Sequence, residues 1–161
     1  MRASTRTLAI GGCLLLVAAL AAGCTANSAD PAPQAVSCEN SALDGLTLSS
    51  RGDGVVVTGI IDNGAGDTQP FQVGIPTRAI LAVTGDGATE FTLTDPDGQS
   101  SELAWGPIQR VRGSLGAEGT EYSIGLRFAA EGCWTLTAAN GSGSAALTLP
   151  VQATGVAAGD G

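Results

Sequence analysis

Apolar and polar residues alternate most cleanly toward the C-terminal end of the chain. Tyr122, Ile124, Leu126 and Phe128 fall on one side of an extended segment, with Ser123, Gly125 and Arg127 on the other. Trp134, Leu136 and Ala138 repeat the pattern with Thr135 and Thr137 outward, and Ala145, Leu147, Leu149 and Val151 follow after Asn140-Gly141. Successive side chains of a strand point to opposite faces, so this spacing predicts three half-buried strands, the last two joined by a hairpin. Upstream, Leu46 to Ser49 alternates, Val55 to Ile61 is a β-branched run apolar enough for burial on both faces, and Ala79 to Thr84 is another apolar strand. Glu90 to Thr94 alternates again. Phe71 and Val73 predict a short edge stopped by Pro76, and Leu103 and Trp105 a further short strand. Gly85-Asp86-Gly87 and Asp95-Pro96-Asp97-Gly98 have turn chemistry, the latter with Pro at its second position. Pro107 to Thr120 is Gly-rich and without period. No stretch has helical periodicity. About seven to nine short strands at this spacing predict an all-β chain with a single antiparallel β-sandwich over residues 38–152.

The run from Leu8 to Ala22 does not belong to that pattern. It follows Arg2 and Arg6 and ends in Leu20-Ala21-Ala22-Gly23-Cys24. A spanning helix needs about 20 apolar residues, whereas here polar Thr25, Asn27, Ser28 and Asp30 follow at once, which reads as an export signal. The small residues before a cysteine resemble the lipobox of bacterial lipoproteins, with Ala21 where Leu is usual. That resemblance implies cleavage of residues 1–23, a diacylglycerol on Cys24, and a protein held on the outer face of the cell membrane. Ordinary cleavage after Ala19-Leu20-Ala21 is the alternative, leaving a soluble secreted protein with Cys24 as a spare thiol. Residues 24–37, with Pro31 and Pro33, then read as a flexible lipidated tether, and residues 153–161 as a tail without an anchor.

Charge and composition narrow the function. Removing residues 1–23 leaves 138 of the 161 residues, enough for one domain with its own core. All 15 acids lie in that part against five arginines, a net charge of −10. So acidic a surface repels nucleic acid and anionic headgroups. The chain has no histidine, so it can build neither a Ser–His or Cys–His nucleophile system nor a His-ligated zinc or copper site. Fifteen acids make some carboxylate pair inevitable, yet none sits in a glycosidase-like motif, and Phe71, Phe91, Trp105 and Tyr122 offer little to line a sugar groove. No pattern points to a cofactor. The expectation is a non-enzymatic binding module of the cell envelope that contacts another envelope protein. The alternatives are a small-ligand or calcium-binding surface domain, or an accessory domain of an envelope hydrolase.

If the signal removes Cys13 and lipid occupies Cys24, Cys38 and Cys133 remain, and in an exported protein such a pair usually forms a disulfide; two separate thiols are the alternative. The segment Glu131-Gly132-Cys133-Trp134-Thr135-Leu136-Thr137 with its following strand resembles the end of immunoglobulin-like domains of bacterial surface lipoproteins. Two departures are visible. Glu131 stands where a tyrosine corner would need Tyr, and if Trp134 faces the core, Cys133 faces away from it. The bridge would then clasp the incoming segment to the flank of the sandwich. Oxygen-rich turns mark two calcium candidates, Asp62 with Asn63 and Asp67, and Asp95 with Asp97 and Glu102; Asp, Asn and Gly are also what plain turns require. Arg51-Gly52-Asp53 matches an adhesion tripeptide and is equally a turn before Val55. Arg110 and Arg112, on a Gly-rich loop of an acidic protein, are candidate partner contacts, or ordinary arginines of a solvated loop.

Overall fold

The alternating segments become strands. A computed structural model describes residues 36–39, 42–62 and 71–154, and among them ten strands and no helix form: β1 (Leu43–Asp44), β2 (Thr47–Arg51), β3 (Val56–Asp62), β4 (Thr77–Val83), β5 (Glu90–Thr94), β6 (Ser100–Ser101), β7 (Trp105–Gln109), β8 (Thr120–Leu126), β9 (Gly132–Asn140) and β10 (Gly143–Val151). They build two antiparallel sheets, ordered β1-β2-β3-β4-β8-β7 and β10-β9-β5-β6. The chain is an all-β sandwich. From β3 onward its strands follow the A-B-E-D and G-F-C-C′ order of immunoglobulin-type sandwiches, with β1 and β2 added beside the first strand.

The inward positions of both sheets meet in one core. Leu48, Val57, Ile61, Leu81, Ile124 and Leu126 from the first sheet close on Leu93, Trp134, Leu136, Leu147 and Leu149 from the second. Phe71, Phe128 and Trp134 make a chain of edge-to-face contacts, with centroids 5.3 Å and 5.2 Å apart. The Trp134 indole N–H donates to the Ala130 carbonyl at 2.9 Å, so its one polar group is satisfied where the ring is buried. The Phe71 segment, expected as an edge, makes single backbone bridges of Gln72 to Gln152 and Val73 to Phe128 in place of a strand. Its phenyl ring is instead fully buried.

Three expectations need correction. Val56–Asp62 is buried on one face only: Val57 and Ile61 face the core, while Ile60 is 39% exposed. The strand with apolar burial on both faces is β4, central between β3 and β8, where Ile80 and Ala82 lie on the outward side yet are covered. The further short strand runs Trp105–Gln109, into the stretch that lacks a period, and Leu103 packs against the core before it begins. The hairpin turn sits one residue later than Asn140-Gly141. Asn140 pairs with Gly143, leaving Gly141-Ser142 as the loop. The Asn140 carboxamide accepts from the Ser142 N–H and donates to the Thr84 carbonyl, tying that hairpin to the β4–β5 connection.

The two flanks of the sandwich differ. On one, β1 and β2 reach across to β10: the Ala42 N–H donates to Thr148 at 3.0 Å, the Ser50 hydroxyl donates to Ala146 at 2.5 Å, and Asp53 bridges Ser144. Gly143, at φ 141°, lies so close to the Asp53 carbonyl that a Cβ there would overlap it. The other flank ends in two-residue β6 and in β7, whose Gly106–Pro107 bond is cis and whose pairing with β8 slips between Trp105 and Ile108. Proline and an irregular register blunt such an edge against further strand pairing.

Cys38 and Cys133 form a disulfide, with Cα atoms 5.7 Å apart. Cys133 is exposed and Trp134 buried, so the bridge runs outside the core, as a clasp. Beside it the Gln152 carboxamide accepts from the Val36 N–H at 2.7 Å and donates back to the Val36 carbonyl at 3.0 Å. The expected tether is thus held at Val36. At the other end, the Thr154 hydroxyl donates to the Val73 carbonyl, which anchors the start of the expected tail.

Candidate functional site

The loop from Arg110 to Gly119 is organised by a residue the sequence did not mark. Glu121 lies on the outward side of β8, in register with Ala82, yet it is buried because the loop folds over it. Its carboxylate accepts the backbone N–H groups of Leu115 (2.7 Å) and Ser114 (2.7 Å), and the Ser114 hydroxyl. The Leu115 and Ser114 amides hold the carboxyl below its ordinary range, helped by the Ser114 hydroxyl and Arg110, while burial works in the opposite direction. Arg110 is spent on the same cluster: its guanidinium donates to the Ser114 hydroxyl at 2.8 Å and lies 3.8 Å from Glu121. Arg112 is exposed. A shallow hollow of about 310 Å³ borders this loop, with Gln109, Arg110, Gly113, Gly116, Gly119 and Glu121 among its lining residues.

This arrangement carries a pH signature. A carboxyl whose folded pKa is depressed contributes stability above the unfolded value and loses it as pH falls through the folded one. The thermal midpoint of the wild type should therefore exceed that of Glu121→Gln at neutral pH. The gap should close as pH is lowered below the ordinary glutamate range, and paired melting curves from pH 7 downward measure it. A gap independent of pH would mean that the amides do not read the charge of Glu121.

The acidic turns are occupied by their own structure. Asp62 lies opposite Arg78 in the β3–β4 register and pairs with it at 3.2 Å; Asn63 and Asp67 lie outside the described residues, as does Cys24. Asp95 accepts from the Asp97 and Gln99 amides at 3.0 Å and 2.7 Å, which shapes the turn into β6. Among the described residues no three acids or cysteines converge on a point where a metal ion could sit. The Arg51-Gly52-Asp53 tripeptide packs against β10, where the Gly52 N–H donates to Val55 and a Cβ on Gly52 would overlap the Ser144 carbonyl.

The most distinctive surface is the outward face of the six-stranded sheet. Register places Thr47, Ile60, Ile80, Ser123 and Ile108 in one row across β2, β3, β4, β8 and β7. The next row holds Asp62, Arg78, Gly125 and Trp105. Ile60, Ile108 and Trp105 are 39%, 58% and 39% exposed. The Trp105 indole lies over Gly125, where any Cβ would strike it. The outward face of the other sheet has the same alternation and opposite chemistry: Thr92 pairs with Thr137, and Thr135 lies between Thr94 and Thr148. A threonine face is a solvated face. On the six-stranded sheet the exposed apolar side chains Ile60, Ile108 and Trp105 stand around buried Ile80, with Ser123 between Ile80 and Ile108.

The sequence signal for this surface was present but ambiguous. The apolar run of β3 is as compatible with a second buried face as with an exposed one, and only the register separates them. The chain matches no protein-family model and no curated protein.

Proposed function

We propose that the protein is a lipid-anchored, extracytoplasmic lipoprotein whose immunoglobulin-like sandwich serves as a non-enzymatic interaction module of the cell envelope. The observation that carries the interaction role is the asymmetry of the two outward faces, threonine on one sheet and isoleucine with tryptophan on the other. The anchor rests on the resemblance of Leu20 to Cys24 to a lipobox. A disulfide between Cys38 and Cys133 agrees with export to an oxidising compartment. No histidine is available for nucleophile activation, Asp62 is held in an ion pair with Arg78, and Asp95 accepts turn hydrogen bonds. These features favour contact over chemistry.

The intact mass of the chain from a membrane fraction tests the anchor. The expected product is residues 24–161 plus a diacylglycerol, rising by about 2 Da on reduction as the single bridge opens. A soluble, unlipidated product would sink the anchored reading and direct attention to diffusible partners.

A further inference from the structure

We infer that the outward face of the six-stranded sheet is the contact surface for a second copy of this chain, packed sheet to sheet about a two-fold axis parallel to the strands. The inference deepens the interaction role proposed above and names its partner. Three observations select a second copy.

The first is charge. The part of the chain after residue 23 carries 15 acids against five arginines, so most approaches of one copy to another are repulsive. On this face the strands bear two acids, Asp44 and Asp62, against Arg51 and Arg78, while Glu121 is buried under its loop with Arg110. The face is therefore close to neutral on a strongly acidic chain. Its inner charges, Asp62 and Arg78, are adjacent and of opposite sign, 3.2 Å apart. A two-fold axis along the strands keeps their row at the same height in both copies and can set each Arg78 against the other copy's Asp62. An interface of this kind is isologous and closes on itself.

The second is the alternative it replaces. Sheets also associate edge to edge, but the edges of this sheet are β1, only two residues long, and β7, which carries Pro107 and a slipped register. Face packing is the route left to this sheet, and sheets of this kind stack about 10 Å apart at a modest angle.

The third is area and direction. Five strands at about 4.8 Å spacing and five residues of about 3.3 Å each give a face about 24 Å by 17 Å. The pair would bury about 800 Å², below the usual size of stable specific interfaces. Contact is then weak in dilute solution and strengthened where both copies are held to one surface. The same axis puts both Cys38–Cys133 poles on the same side, so two tethers can root in one membrane.

The test is photo-crosslinking of the full chain in intact cells, with a photoreactive phenylalanine analogue replacing Ser123 on this face or Thr137 on the other. The expected result is a covalent dimer of twice the mass from Ser123 and none from Thr137. Ile60→Glu or Ile108→Glu, both at exposed positions, should cut the yield at least tenfold while leaving the melting midpoint of the purified domain in place. Adducts solely with a different protein, equal dimer yields from both faces, or no dimer from Ser123 would each overturn the inference. The first of these would leave the interaction role standing, whereas loss of the anchor would show separately in the intact mass.

Discussion

Replacing Trp134 with alanine should destabilise the domain by about 3–5 kcal/mol, a large share of the roughly 5–15 kcal/mol by which domains of this size are stable. The side chain is 1% exposed and stands at the junction of three interactions. Its ring closes the aromatic chain through Phe128 to Phe71, its N–H satisfies the Ala130 carbonyl, and it pairs in register with Leu149. Alanine leaves a cavity lined by side chains from both sheets and removes that hydrogen bond. Trp134→Phe separates the contributions, because it keeps most of the apolar contact and loses the hydrogen bond, at a net cost of about 1 kcal/mol for the bond alone. Urea denaturation of the two variants beside the wild type checks the order. Equal losses would place the stabilisation in the hydrogen bond and not in the packing.

Removing the disulfide with Cys38→Ser and Cys133→Ser together should cost about 2–4 kcal/mol. The bridge joins residues 95 apart, so it encloses β1 to β8 and removes much freedom from the unfolded chain. On the chain-entropy model that separation corresponds to about 4.7 kcal/mol. The measured value should fall short of it for a reason visible in the fold. Cys38 lies on an incoming segment outside the strands, so cutting the clasp frees the native state as well, leaving Val36 held only by Gln152. Melting with and without the two substitutions gives the difference. A loss beyond about 5 kcal/mol would mean that the clasp also orders native structure around β1 and β10.

What was legible in the chain follows from where burial is one-sided. Tyr122 to Phe128, Trp134 to Ala138 and Ala145 to Val151 read correctly because each strand has one core face and one polar face. The outward-facing Cys133 followed from the same parity. β3 misled because Ile60 is apolar and still exposed; composition cannot distinguish a second core face from a docking face. Phe71 looked like an edge because its neighbours are polar, and its burial depends on Phe128, distant in sequence and near only after folding. Glu121 sat in an alternating strand with every sign of a solvent position, and only the loop that folds back over it makes it a buried acceptor. Asp62 was singled out for its neighbours in sequence; the register gave it Arg78 instead.

The position of the clasp also decides how the domain bears mechanical load. A pull applied between residue 36 and residue 154 does not travel through β1 to β8, because the covalent link from Cys38 to Cys133 carries it past them and into β9. Everything between those cysteines is held out of the force path. Only the chain from Cys133 to Thr154 can lengthen, to a span of about 70 Å when drawn straight, and it must tear β10 from β9 and β9 from β5 to do so. Reduced, the same domain could be drawn out along its whole length.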